Sequence, residues 1–227
     1  LPAPMELVFE KIAKVILFEA KKKYAYYHFE PNKNGGWDSK IKASGIETKR
    51  RDWCKLVGST IEKCLEHILK ESDISKAIQE VREAVTYLEN LSYDKPEDLA
   101  KIVLSRKYTK AVENYKVIPI HIRVAQKMIS RREQLNIGDR IDFLIVEGDG
   151  KFNVRAQNIQ EVLKSKLEID RKYYVEKQLL PPVDRLFETL GIKKSDYYNG
   201  ICASKKDRTI LKTNGKAITQ KSLFSYE

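Results

Sequence analysis

The sequence predicts an α+β chain, with antiparallel strands first and a mainly helical region carrying a small β-hairpin after them. Three observations carry that expectation. From Lys23 the residue character alternates with a period of two and runs into a turn cluster. From Trp53 to Leu91 apolar residues recur at helical spacing instead. At Glu147-Gly148-Asp149-Gly150 a glycine-rich turn separates two short runs of strand character.

Met5–Phe9 and Val15–Phe18 are short apolar runs, the second rich in branched and bulky side chains, and read as strands. Beyond Lys23, Tyr24, Tyr26 and His28 share one face while Ala25, Tyr27 and Phe29 share the other. Pro31-Asn32-Lys33-Asn34-Gly35-Gly36 then turns the chain into a returning strand from Trp37 to Ile41. Trp53, Leu56, Val57, Thr60, Ile61, Cys64, Leu65 and Ile68 mark a first long helix. Ser72-Asp73 offers an N-cap for a second, along Ile74, Ala77, Ile78, Val81, Ala84, Val85, Leu88 and Leu91. So short a connection makes the two antiparallel. Structure resumes at Pro96. A helix over Ile120–Arg132 has Val124, Ala125, Met128 and Ile129 on its apolar side, with Arg123, Gln126, Lys127 and Ser130 opposite. A strand over Arg140–Val146 turns into a second from Phe152. The last helix covers Asp170–Leu190, where Pro181-Pro182 would cost about 3 kcal/mol each in a regular helix, so a kink or break is expected there.

The bulk numbers narrow the function. The 227 residues carry 43 Lys and Arg against 32 acidic residues, a net charge of +11, which favours a polyanionic partner or a basic, solubilising surface. The three cysteines show no metal-ligand spacing and read as reduced thiols of a cytosolic, nucleoid-associated protein. No apolar run approaches the ~18 residues of a membrane span, so no membrane partner is expected. The histidines at 28, 67 and 121 lack zinc-ligand spacing. No Walker phosphate loop, no G-x-S-x-G and no paired aspartates of the two-metal kind occur, so no catalytic residue and no metal ligand is assigned to this chain.

Four constellations remain. Lys21-Lys22-Lys23-Tyr24 sits where one strand gives way to the next and offers cations and a hydroxyl to phosphate or a groove edge, or is a solvated charge run. Lys49, Arg50 and Arg51 precede the first long helix, whose free N–H groups welcome phosphate; Asp52 is an alternative cap. From Tyr115 the chain reads Y-K-V-I-P-I-H-I-R-V-A-Q-K-M, and Arg123 and Lys127 on its polar face either follow a nucleic-acid backbone or are plain surface. At the end of a basic tail, Gln220, Leu223 and Tyr226 have the spacing of one helical turn that anchors in a hydrophobic pocket.

Taken in order, the segments resemble the C-terminal region of family B DNA polymerases, above all archaeal ones. The matching stretches are K-K-K-Y-A at Lys21–Ala25, G-I-E-T-K-R-R-D-W at Gly45–Trp53 and H-I-R-V-A-Q-K-M at His121–Met128. G-D-R-I at Gly138–Ile141 and I-D-R-K-Y-Y-V-E-K-Q-L-L-P-P-V-D-R-L at Ile169–Leu186 complete the series. The resemblance implies that residues 1–50 complete a palm sheet, 51–200 form the thumb and 201–227 are a tail. It implies primer–template contacts from Lys21, Lys22 and Tyr24 and backbone contacts from Arg50 and Arg51; Lys23, Lys49, His121, Arg123 and Lys127 join them as candidate DNA contacts. Pro119-Ile120 stands where the family pattern has Gly-Pro, which leaves the role of His121 open. Gln220, Leu223 and Tyr226 resemble a sliding-clamp (PCNA) box.

The family's D-x-x-S-L-Y-P and D-T-D motifs are not in this chain. The resemblance therefore implies a large catalytic partner supplying exonuclease, fingers, remaining palm and Mg²⁺, with this chain as the smaller piece of a polymerase encoded in two. A start near Met5 suits that piece, and a fragment of an intact polymerase would look the same. A stand-alone duplex-binding protein and a protein-only scaffold are the rival expectations.

Overall fold

The computed structural model describes residues 8–48, 53–91 and 95–200. Strands β1 (Ile12–Ala20), β2 (Lys23–Pro31) and β3 (Trp37–Ser44) form an antiparallel sheet in that order. Of the predicted Met5–Phe9 strand, only Val8 and Phe9 are described, and both precede β1. The two faces fall as the alternation requires: Leu17, Ala25 and Ala43 are in register on one, and Ile16, Tyr26 and Lys42 on the other. Asn32 closes the β2–β3 turn, its Oδ1 accepting from the backbone N–H groups of Asn34 and Gly36.

Two features of β1 bear on the site. Its register shifts between Phe18 and Ala20, so Glu19 is an extra residue opposite the Tyr24–Lys23 step. Such a bulge bends the strand and re-aims a side chain. Ile12, Ile16 and Phe18 are about half exposed or more, Phe18 most at 68%. An uncovered apolar strand at a sheet edge is otherwise a liability for a chain that stands alone.

The αα-hairpin follows. Helix α1 (Lys55–Glu66) runs on through a π-helical turn, His67–Glu71, to a left-handed Ser72 with φ 56°. Asp73 then caps α2 (Ile74–Glu89), accepting from the Lys76 backbone N–H at 3.0 Å. Val57, Ile61, Cys64 and Leu65 pack the core with Ala77, Val81, Ala84 and Leu88. Full burial of a side chain such as Ile61 or Leu88 contributes about 2 kcal/mol. Helix α3 (Pro96–Ile102) starts at Pro96, with Glu97 and Asp98 in its first turn beside the positive end of the helix dipole.

The second half departs from expectation in three places. The predicted hairpin is a three-stranded sheet: β4 (Leu104–Lys107), β5 (Arg140–Ile145) and β6 (Ala156–Asn158), with β5 central. The returning strand begins at Ala156 rather than Phe152. Residues 151–154 close a turn instead, with the Val154 N–H donating to the Lys151 carbonyl. Helix α4 (Ile120–Ser130) ends two residues early, and its buried side is His121, Ile122, Val124 and Ala125, whereas Ile129 is 46% exposed. Lastly, α5 (Ile159–Ser165) and α6 (Arg171–Tyr173) lead into a π-helical stretch, Tyr174–Leu179, and α7 (Leu180–Glu188). Pro181 and Pro182 produce no break. They fall where the wide π ladder, in which the Leu180 N–H donates to the Val175 carbonyl, hands over to the α ladder. The N–H groups that proline lacks are least missed in such a first turn.

Tyr174 is fully buried and its hydroxyl accepts from the Ile145 backbone N–H at 3.1 Å, pinning this helix to β5. Cys54 and Cys64 are free and buried, and burial pushes their thiols up to about 11 and about 12, so both are inert packing groups. Cys202 lies outside the described residues. Among the described residues no helix is long and apolar enough to cross a membrane.

Candidate nucleic-acid interface

Ala20 pairs with Lys23, so the β1–β2 connection is two residues long and Lys21 and Lys22 are its apex. Both are exposed. Lys22 takes φ 65°, a left-handed conformation that a non-glycine residue holds only when its surroundings impose it. The two-residue hairpin turn with its bulge calls for it here, and Gly45 packs against it. Gly45 has φ 69°, and a Cβ on it would fall well inside van der Waals contact with the Lys22 carbonyl oxygen. Glycine is required twice over, for the dihedral and for the approach. The lysine apex is thereby seated on the connector that leads to α1.

Behind the apex, on the outer face of the sheet, aromatic rings run along β2. Tyr24 lies 6.3 Å from Phe18 and 6.1 Å from Tyr26, the latter stacked at 21°, and Tyr26 lies 5.0 Å from His28. These contacts limit the freedom of the Tyr24 ring. Its hydroxyl adds a donor beside the two lysines.

Lys23 belongs to a different group. Its ammonium donates to Glu19 Oε1 at 3.2 Å and to Glu47 Oε1 at 2.9 Å. Arg185 of α7 reaches the same two oxygens, Nε to Glu19 at 3.2 Å and Nη2 to Glu47 at 2.9 Å. Two cations thus meet two carboxylates whose side chains are only 3% and 4% exposed. The Glu19 bulge aims one carboxylate there, and the connector supplies the other. Burial alone would push the Glu47 carboxyl up, but the hydrogen bond from Lys23 and the Arg185 charge and hydrogen bond together hold it below the usual range. The Arg185 guanidinium also lies 6.0 Å from the Trp53 ring. A second close approach tightens the same joint: a Cβ on Gly58 of α1 would collide with the Thr48 carbonyl oxygen. The strand platform, the connector and the last long helix are therefore tied together at Lys23, the residue that follows the lysine apex.

On α4, Arg123 and Lys127 lie on the polar face, as their spacing requires. The Lys127 ammonium donates to the carbonyls of Val154 at 3.0 Å and Ala156 at 2.8 Å, ahead of and at the start of β6. His121 is not on that face. It is 8% exposed, and burial together with the Arg106 charge lowers its pKa, so the ring is neutral at pH 7 and turned inward. Its burial leaves little of the ring on the surface that Arg123 and Lys127 share. Lys49, Arg50 and Arg51, and likewise Gln220, Leu223 and Tyr226, lie outside the described residues.

The Glu19–Lys23–Glu47–Arg185 group was not anticipated. Lys23, Glu47 and Arg185 all lie in the quoted stretches of resemblance, but nothing local signals that Glu19 and Arg185, 166 apart in sequence, form an ion pair. Among the described residues no three His, Cys, Asp or Glu side chains converge as metal ligands.

Comparison with known proteins follows the same segments. Residues 1–190 match the family model described as DNA polymerase family B. The DNA polymerase of Thermococcus kodakarensis is 32% identical over 196 residues, covering 86% of this chain and 11% of the relative. That of Pyrococcus horikoshii is 33% identical over the same length, covering 15% of the relative, and that of Thermococcus gorgonarius 32%, covering 24%. The chain therefore spans no more than a quarter of the length of these relatives. Among solved structures, the family B DNA polymerase from the hyperthermophilic archaeon Pyrobaculum calidifontis superposes with a TM-score of 0.60 at 29% identity, over 79% of this chain and 22% of that one.

Proposed function

Because this chain belongs to DNA polymerase family B, we propose that it is the duplex-gripping C-terminal part of such an enzyme, with residues 1–50 completing the palm, 51–200 forming the thumb and 201–227 a tail. In this reading another polypeptide carries exonuclease, fingers, the rest of the palm, the nucleotidyl-transfer aspartates and their Mg²⁺. The observation that carries it is the lysine apex: two exposed cations on a rigid hairpin, seated on the connector by Gly45 and backed by the ion cluster. Such an apex meets phosphates or the minor-groove edge without reading sequence. Its contribution to rate is positional, since a primer end misplaced by ~1 Å can lose on the order of a hundredfold.

The exposed Ile12, Ile16 and Phe18 support a partner chain on the β1 side of the sheet. An obligate seam of this kind buries more than about 2,000 Å². The tail would add a tether to a sliding clamp through Gln220, Leu223 and Tyr226, raising processivity through effective concentration.

Two experiments test the proposal. Co-purification from the source organism should bring down a larger polymerase chain, and primer extension should require both. Extension by this chain alone with Mg²⁺ would refute the division of labour. Changing Lys21 and Lys22 together to alanine should weaken primer–template binding and flatten its salt dependence by about one unit of log–log slope per lost phosphate contact. An unchanged slope would remove the apex from the contact surface.

A further inference from the structure

Away from the lysine apex, a cleft of about 520 Å³ opens where α3, α5, the start of α1 and the β4–β5 pair meet. Its walls are mainly apolar. Pro96, Leu99 and Ala100 recur at i, i+3 and i+4 of α3, and Ile159 and Leu163 at i and i+4 of α5, so each helix turns one apolar side to the same space. Leu163 remains 39% exposed, a large apolar side chain left partly in water. Trp53 also lines the cleft, and its ring lies 6.0 Å from the Arg185 guanidinium, so the indole stands between the cleft and the ion cluster. The polar groups are few and unbalanced. Lys55, the first residue of α1, is exposed and has no acidic partner among the described residues. Arg140 donates through Nε to Ser105 Oγ at 2.9 Å and through Nη2 to the Ser105 carbonyl at 2.8 Å, which fixes the guanidinium and leaves Nη1 over. Against these two cations the lining has one carboxylate, Asp142.

We propose that this cleft binds a small amphipathic organic anion, an aromatic body carrying one acidic group. The body lies against Leu99, Leu163 and Trp53, and the acidic group meets Lys55 and the remaining arm of Arg140. The volume falls within the range of sites for small organic ligands, about 300–1,000 Å³, and an apolar lining with a few convergent polar groups is their usual make-up. Charge selects the ligand further. A wholly apolar molecule would cover the two cations without pairing them, at a cost in desolvation. A nucleic-acid backbone would meet apolar walls where its successive phosphates need donors. The site lies outside the duplex grip and does not rest on that reading.

The probe for the test is anilinonaphthalenesulfonate, an aromatic sulfonate, titrated into the full chain carrying Trp37→Phe, which leaves Trp53 as the one tryptophan. Binding should be saturable and should shift the wavelength of Trp53 emission, because the probe displaces water from that ring. Anilinonaphthalene without the sulfonate should bind roughly fivefold more weakly. Lys55→Glu should weaken the sulfonate by roughly tenfold while leaving the fold sound, since a carboxylate suits the first turn of a helix. Leu163→Glu, at a partly exposed position, should abolish the Trp53 shift. Probe binding that leaves Trp53 emission where it was, or a shift that survives Leu163→Glu, overturns the site. Equal affinity for the charged and uncharged probes overturns the assignment of an anion to it. Displacement of the probe by a short DNA duplex would make the cleft part of the DNA surface and overturn the proposal as well.

Discussion

Replacing Arg185 with alanine is expected to destabilise the folded chain by about 3 kcal/mol at neutral pH, because it leaves two buried carboxylates with one lysine between them. Glu19 and Glu47 are almost fully removed from water, and each already has one buried oxygen without a partner. The arginine is itself 37% exposed, so solvent screens part of its charge, which is why the expected loss sits at the low end for a broken buried pair. The loss depends on pH in a defined sense. The folded Glu47 pKa is depressed below its ordinary 4.5, so its contribution is present above that value and disappears as the pH falls through the folded pKa. The gap between wild type and Arg185→Ala should therefore be wide at pH 7 and close in strong acid. Urea unfolding at both ends of that range measures it, and a gap independent of pH would mean that the cluster does not act through charge. Arg185→Lys should recover only part of the loss, since a shorter, more strongly hydrated ammonium lacks the planar fork that places separate N–H donors on Glu19 and Glu47.

Gly45→Ala should cost a similar amount, about 3 kcal/mol, of which 1–2 kcal/mol is the left-handed backbone and the rest the collision with the Lys22 carbonyl. Gly35→Ala provides the internal control. Gly35 has φ 77° but open space around it, so it carries the dihedral penalty without the collision. The difference between the two variants isolates the close approach. Because relief of that collision must displace Lys22, Gly45→Ala should also weaken primer–template binding, whereas Gly35→Ala should leave it intact. Equal effects of the two on both measurements would show that the apex does not rest on the connector.

The sequence was legible wherever the determinant is local. The Pro31–Gly36 turn, the helical period from Trp53, the Asp73 cap and the polar face of α4 each need only neighbours within a turn or two, and each is found as read. What escaped is non-local. Strand β4 has one buried apolar residue, Leu104, and exists because β5 pairs with it from 39 positions further on, Leu104 opposite Phe143. The late start of β6 reflects a local turn that won over continued pairing. Pro181-Pro182 carried a correct local penalty that a change of helical ladder absorbed. The candidate site divides in the same way. Lys21 and Lys22 were readable as a charge run, but the pairing of Lys23 with Glu19 and Glu47 involves Arg185, which only the completed fold brings near.

The two π-helical turns set a rule for length. Such a turn holds one residue more than the α turns around it, so each behaves as an inserted residue that has been kept. Deleting one position between Tyr174 and Leu179 would wind that stretch into plain α-helix and rotate everything beyond it by about 100°. Arg185 would then swing off the side facing Glu19 and Glu47. Relatives that dispense with this extra residue must anchor the final helix to the strands by some other pairing.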